Sequence, residues 1–167
     1  MRITKRANIA MRVLMYCASH PDLRITKTSI AEACNASEHH LGQIVNQLAQ
    51  MGYLKTWRRR YGGIALGRPA DQIQLGAVFR EFESGVPIAE CFAIETNTCP
   101  LVDACRLRPA LALAGQAFYQ VLDSVTLDAL IHGNHGLRTL FAATETGGAT
   151  PSLRNRGDKG GRQVATG

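Results

Sequence analysis

Ser37-Glu38-His39-His40-Leu41-Gly42-Gln43-Ile44-Val45-Asn46-Gln47-Leu48 is the stretch whose reading decides the fold. Ser37 can cap a helix running to about Met51, with Leu41, Ile44, Val45 and Leu48 on one face, and Gly52 stops it. Downstream, residues 53–57 read as a strand, Arg58-Arg59-Arg60-Tyr61-Gly62-Gly63 as a turn, and residues 64–66 as the returning strand. Upstream, Thr4 caps a helix reaching about Ser19, with Ala7, Met11, Leu14 and Ala18 at three- and four-residue spacing, and His20-Pro21-Asp22 ends it. A short helix over residues 29–34 turns Ile30 and Ala33 inward, and Asn35-Ala36 links it to Ser37. Three helices followed by a hairpin with a basic tip is the order of a winged helix-turn-helix. The expected fold class is mainly α with a small β-hairpin.

In that arrangement the second helix of the turn motif enters the major groove and its first residues reach base edges. Those residues are Ser37, Glu38, His39, His40 and Gln43, opposite the apolar stripe. Arg58, Arg59 and Arg60, with Tyr61 and Gly62, are placed to neutralise phosphates or enter the minor groove. Like charges repel, so three consecutive arginines at a turn are hard to justify by folding alone. A small helical domain with an exposed basic hairpin is the plainer alternative. Residues 1–68 hold eleven Lys and Arg against three Asp and Glu, whereas residues 69–142 hold four against eight. The uneven charge fits a solvated basic face equally well, and it is the arrangement of the arginines at the turn that favours the first reading. A double-stranded DNA operator is the expected partner.

After Arg68-Pro69, a helix over about 73–83 packs through Leu75, Val78, Phe79 and Phe82. Residues 84–99 lack periodicity. A longer helix over about 106–125 carries Leu107, Leu111, Ala114, Phe118, Val121 and Leu122 on one side, a stripe suited to a homodimer seam or to packing within the chain. Residues 126–131 and 137–142 read as short closing helices. From Ala143 there are no aromatics, six glycines and one proline, the composition of a disordered tail. The expected organisation is a winged helix-turn-helix domain at 1–70, a cysteine loop with dimerisation helices at 71–142, and a tail at 143–167.

The chain has 167 residues, 46% of them hydrophobic, and no apolar run near the ~18 residues of a membrane span. Arg12 interrupts the stretch that imitates a signal peptide after Arg2, Lys5 and Arg6, so a cytoplasmic protein is expected. His20, His39, His40, His132 and His135 join no nucleophile elbow, phosphate loop or metalloprotease pattern, which argues against an enzyme.

Five cysteines are too few for a disulfide scaffold, and their odd number argues against full pairing. Cys17 and Cys34 read as small buried hydrophobes. Cys91, Cys99 and Cys105, separated by seven and five residues, fall in the segment poor in regular structure. Thiolates are soft ligands that suit iron–sulfur clusters or zinc. The spacing matches neither a Cys-x-x-Cys zinc pairing nor a ferredoxin run, and three thiolates leave a fourth position open.

Further segments carry a resemblance: Met1-Arg2-Ile3-Thr4-Lys5, Leu14-Met15-Tyr16-Cys17-Ala18, Gly62-Gly63-Ile64 with Leu66-Gly67-Arg68-Pro69-Ala70, Glu90-Cys91-Phe92, and Cys99-Pro100-Leu101-Val102-Asp103-Ala104-Cys105. Over residues 1 to about 142 the chain resembles the bacterial iron–sulfur-cluster winged-helix repressors. That resemblance implies a homodimer joined by the long helix, with one cluster per subunit on Cys91, Cys99 and Cys105. The four-iron four-sulfur form is expected, with the two-iron two-sulfur form as the alternative. In the nitric-oxide-sensing branch (NsrR-like) an aspartate on the first helix completes the ligand set, and this chain has Asn8 there. In the cluster-biogenesis branch (IscR-like) a histidine three residues after the third cysteine ligates, and this chain has Arg108. The asparagine, the cysteine spacing and the Cys-Pro-Leu-Val-Asp segment resemble the rhizobial iron regulators (RirA-like). The implied function is iron-responsive repression of iron-uptake genes, with nitric oxide sensing or a cluster-free thiol or zinc regulator as alternatives. The wing departs from the family by placing Arg58-Arg59 where Arg-Gly is usual, which restricts the turn.

Overall fold

Thr4 stands in extended backbone, and its hydroxyl accepts the Ala7 N–H at 3.1 Å, which starts helix α1 over Lys5–Ala18. The same device starts the next two helices. Thr26 accepts from the Ser29 N–H at 3.1 Å and starts α2, Lys27–Cys34, while Ser37 accepts from the His40 N–H at 3.4 Å and starts α3, Glu38–Gln50. The expected second helix therefore begins at Lys27, not Ser29, because Thr26 supplies the cap. Asn35 adopts φ 48°, the left-handed conformation that lets the chain reverse between α2 and α3. The computed structural model describes residues 3–57 and 62–145, so Arg58, Arg59, Arg60, Tyr61 and the tail from residue 146 lie outside the described residues.

Strands β1, Leu54–Trp57, and β2, Gly63–Leu66, pair antiparallel with Leu54 opposite Leu66 and Trp57 opposite Gly63. Ile25 bridges Ile64 through two backbone hydrogen bonds of 2.9 Å, which ties the hairpin to the segment just before α2. Then come a 3₁₀ turn at Ala70–Gln72, α4 at Leu75–Glu83, α5 at Leu107–Asp123, α6 at Leu127–Ile131 and α7 at His135–Glu145. Ile73, expected to open a helix, is instead extended. Its carbonyl accepts the Leu127 N–H at 2.8 Å, and the Leu75 N–H reaches the Val125 carbonyl at 3.0 Å, so these groups bond across to the α5–α6 junction. Residues 143–145, expected in the tail, continue α7. The tail's composition does not bear on them, because Phe141 one turn earlier is buried against Tyr16, edge to face at 5.0 Å.

One hydrophobic cluster runs through the chain on both sides of residue 70. Val13, Leu14, Ile30, Leu41, Ile44 and Leu48 meet Ile73, Val78 and Leu127, all at 0% exposure. Each such aliphatic side chain contributes roughly 1.5–3 kcal/mol by leaving water. Helix α1 is the hub, contacting α2, α3, α4, α6 and β2. The Thr4 N–H and hydroxyl both donate to Glu83 Oε1, at 2.8 and 2.9 Å, and fasten the start of α1 to the end of α4.

Candidate functional site

The exposed face of α3 divides by what its side chains already do. The Ser37 hydroxyl is occupied in capping. Glu38 accepts the Thr28 hydroxyl at 2.9 Å, with the Lys27 ammonium 4.0 Å away, so it is turned toward α2. His39 and Gln43 are exposed and His40 half-buried, and none makes a side-chain hydrogen bond among the described residues. Of the five residues expected to face a nucleic acid, these three present unengaged polar groups.

Beside them, a cleft of about 450 Å³ between the start of α2, α3 and the hairpin is lined by Lys27, Val45, Asn46, Trp57 and Gly62. The Arg24 guanidinium lies 4.5 Å over the Trp57 ring. Neither Arg24 nor Lys27 was among the expected interface residues. The signal was two cations bracketing the Thr26 cap, legible only once Lys27 stands beside α3 and Arg24 against the hairpin. Gly62 is half-exposed at the turn end of the hairpin.

Several basic residues of the first half have internal tasks. Arg12 donates to the Cys34 carbonyl at 3.1 Å, and Arg6 donates to Gln47 Oε1 at 2.7 Å. Arg68 donates to the Met51 and Gly52 carbonyls at 2.9 and 3.2 Å while lying over Tyr53. It seals the carbonyl end of α3, where a cation is favoured by the helix dipole. Those partners are neutral, so the positive field of this half is anchored without being cancelled.

The cysteines separate into two classes. Cys17 and Cys34 are 1% and 0% exposed. Burial pushes the Cys17 thiol up to about 12, with neighbouring Cys34 adding to the rise. Burial likewise pushes Cys34 to about 12, and Arg12 offsets only part of it. Both stay protonated near neutral pH and behave as apolar packing, as expected.

Cys91, Cys99 and Cys105 are free, half-exposed, and lie in the turn-rich segment between α4 and α5. A 3₁₀ turn at Glu90–Phe92 carries the first. One Glu90 carboxylate oxygen accepts the Thr98 N–H at 2.8 Å and the Thr98 hydroxyl at 2.5 Å. The hydroxyl and then the N–H hold the Glu90 carboxyl below the usual carboxylate range. Asn97 Oδ1 accepts the Cys99 N–H at 3.1 Å. Arg108 lies 5.6 Å over the Phe92 ring. Ile88 seats on α5 at Gly115, where a Cβ would stand 2.6 Å from its Cδ1.

Among the described residues no three His, Cys, Asp or Glu side chains converge closely enough to hold a metal ion. The segment therefore offers the donor chemistry of an iron–sulfur cluster, three soft accessible thiols, without a preformed cage. Completing such a site is coupled to rearrangement of the chain that carries it. Asn8 is exposed in the first turn of α1, in a cavity of about 510 Å³ that it shares with Thr4, Arg12, Asn35 and Val86.

Helix α5 leads directly out of this segment: Cys105 is followed by Arg106, its N-terminal flanking residue. Arg80 clamps α5 to α4 through both oxygens of Asp123, at 2.7 and 2.5 Å, and lies 4.9 Å over Tyr119. Hydrogen bonds donated by Arg80 lower the Asp123 carboxyl, and the same bonds raise Arg80. Only Gly115 of α5 is buried. In the expected stripe, Leu111, Phe118 and Leu122 are half-buried, whereas Leu107, Ala114 and Val121 are exposed.

Comparison with known proteins places these features in context. The family model described as Rrf2, iron-dependent transcriptional regulator, matches residues 3–133. The HTH-type transcriptional regulator NsrR of Geobacillus kaustophilus is 42% identical over 142 residues, covering 84% of this chain and 97% of the relative. Protein aau3 of Rhizobium meliloti is 39% identical over 145 residues, covering 87% and 94%. Among solved structures, CymR, the global cysteine regulator of B. subtilis, superposes with a TM-score of 0.60 at 28% identity, covering 78% of this chain and 96% of that one.

Proposed function

Because the chain belongs to the Rrf2 family of transcriptional regulators, we propose that it is a homodimeric, iron–sulfur-cluster-dependent repressor that binds a double-stranded DNA operator and responds to iron. As transcriptional regulators, the family's members are not enzymes. The observation that carries the finer reading is the continuity of the thiol segment with an uncovered helix. Cys91, Cys99 and Cys105 end two residues before α5, and α5 leaves Leu107, Leu113 and Val121 63%, 67% and 66% exposed.

Cys91, Cys99 and Cys105 would hold the cluster. When bound, it supplies a reactive iron centre that iron loss, oxygen or nitric oxide degrades. Residues 71–142 act as the sensing and pairing half, and residues 1–70 as the DNA-binding half. The order of the thiol segment sets the seating of α5 through Ile88 at Gly115 and Arg108 over Phe92. Pairing of two α5 helices then sets the separation of two α3 helices, which half-sites must match. His39, His40 and Gln43 meet base edges, with Ser37 and Glu38 shaping the helix start. Arg58, Arg59 and Arg60, with Tyr61 and Gly62, follow the backbone alongside Arg24 and Lys27.

The deciding experiment is anaerobic purification with iron, sulfide and visible-absorption measurements, repeated during titration with an iron chelator. A cluster lost readily to chelator is expected, and Cys99→Ala should lack iron and relieve repression. A cluster indifferent to chelator but destroyed by nitric oxide would favour the second reading, nitric oxide sensing, for which the 42% identity to an NsrR speaks. No iron or sulfide would leave a thiol- or zinc-dependent regulator. Arg59→Ala should lower the salt slope of operator binding by about one, and an unchanged slope removes the wing from the phosphate contacts.

A further inference from the structure

Glu90 and Thr98 each stand immediately before a cysteine of the thiol segment, Glu90 before Cys91 and Thr98 before Cys99. They are eight residues apart, a span that reaches about 26 Å when extended. Here it is closed by its own ends, because one Glu90 oxygen accepts both the Thr98 N–H and the Thr98 hydroxyl. The two cysteines therefore leave the same knot, and the Asn97 amide oxygen holds the Cys99 N–H just beyond it. No comparable tie fastens Cys105 among the described hydrogen bonds, whose own neighbourhood is the turn bonded from the Ala104 N–H to the Leu101 carbonyl.

We propose that Glu90 is a positioning residue that holds Cys91 and Cys99 as a dithiol pair before any metal is present, so that Cys105 joins last. The carboxylate acts by closing a loop. With the ends tied, the pair presents two thiols at a high effective concentration, and the chain entropy of bringing them together is lost in the apoprotein, not on loading. The oxygen that makes the tie already accepts two donors, which suits it to holding the loop and not to binding iron.

This inference rests on the loop thiols being the ligand set, but its test does not need the cluster. The full-length apoprotein with Cys105→Ser retains Cys91 and Cys99 as its half-exposed thiols, Cys17 and Cys34 being buried. The rate of capture by phenylarsine oxide, which bridges two thiols with loss of water, reports their pairing. E90A should slow capture about tenfold, the equivalent of one charge-assisted hydrogen bond. E90Q keeps an acceptor oxygen and should recover most of the rate, and T98V, which keeps the N–H, should fall between. Alkylation of each single thiol by iodoacetamide should not change. Capture by E90A at the parent rate, or an equal slowing of single-thiol alkylation, overturns the proposal. In the chain with all cysteines, E90A should lose iron to chelator about tenfold faster. If the parent takes up no iron while the arsenical effect stands, the cluster reading fails and the positioning role survives. If the parent takes up iron and E90A behaves identically in both assays, the positioning role fails alone.

Discussion

Helices α3 and α5 are both amphipathic and meet different fates. The 13 residues of α3 place Leu41, Ile44 and Leu48 at 0% exposure inside their own chain. The 17 residues of α5 bury only Gly115 and leave Leu113 and Val121 about two-thirds exposed. Helix α3 is clasped by α1, α2 and β1, whereas α5 has α4 as its main partner. An apolar stripe thus states that a helix needs cover and not where the cover comes from. The first half of the molecule supplies its own, and the second leaves an apolar surface of the kind that marks an interaction site.

The sharpest way to break this contrast is to truncate one apolar residue of each helix, buried in α3 and exposed in α5. Leu48→Ala should lower stability by about 2–5 kcal/mol, independent of protein concentration, in denaturant unfolding. Leu113→Ala should cost within about 0.5 kcal/mol for the isolated subunit. Leu113→Asp should instead drive the sedimenting species toward monomer, with a stability loss that grows with protein concentration. Equal, concentration-independent losses at the two sites would mean that α5 is covered within its own chain.

The glycines where the second half packs sharpen the picture at a smaller scale. A Cβ on Gly76 would stand 2.0 Å from Asp123 Oδ1 and 3.0 Å from the Asp123 backbone nitrogen, so Gly76→Ala should cost about 1–3 kcal/mol and displace α5 from α4. At Gly115 the obstacle is the end of a flexible Ile88 side chain, and Gly115→Ala should cost less than Gly76→Ala in the same thermal assay. A reversed order would show that Ile88 is held more rigidly than the α4–α5 contact. In the first half, Arg68→Ala should cost about 1–2 kcal/mol by leaving two carbonyls of the α3 terminus without their donor, and should leave the salt slope of DNA binding unchanged.

The smallest effect is electrostatic. The Asp123 carboxyl is held below its ordinary value of 3.8 by hydrogen bonding from Arg80. A depressed carboxyl contributes stability that is fully present above the ordinary value and lost as pH falls through the lower folded value. Acidification from pH 5 should therefore loosen the α4–α5 clamp only in that acid window, and Asp123→Asn should flatten this part of the stability profile. An unchanged profile in Asp123→Asn would assign the acid response to other carboxylates.

Much of the architecture was readable because it is local. Thr4 and Ser37 announce helix starts with their own hydroxyls, and the spacing of Leu41, Ile44, Val45 and Leu48 names the buried face of α3. Cys17 and Cys34 were legible as packing for the same reason: each stands among apolar neighbours at helical spacing. Ile73 was misread because its apolar character is the same in a helix and in an extended bridge. Its carbonyl pairs with the Leu127 N–H, and the neighbouring Leu75 N–H with the Val125 carbonyl, about fifty residues downstream, where no local pattern reaches. Glu38 was expected to face DNA, and no task was read for Arg68, since their partners on α2 and at the α3 terminus come from other parts of the chain.

Sequence by itself determined the helix and hairpin order, the buried stripe of α3, the two inert cysteines and the segment that carries the three accessible ones. Each depends on caps, periodicity and residue chemistry acting over a few positions. Tertiary structure alone decided which charges are engaged and which are left facing solvent. It also decided that α1 unites both halves in one core, and that Glu90 and Thr98 meet in front of two cysteines. The first two outcomes depend on distances between residues far apart in the chain, which are set only when the apolar surfaces have closed on one another; the third is the closure of an eight-residue loop that no helix or strand period announces.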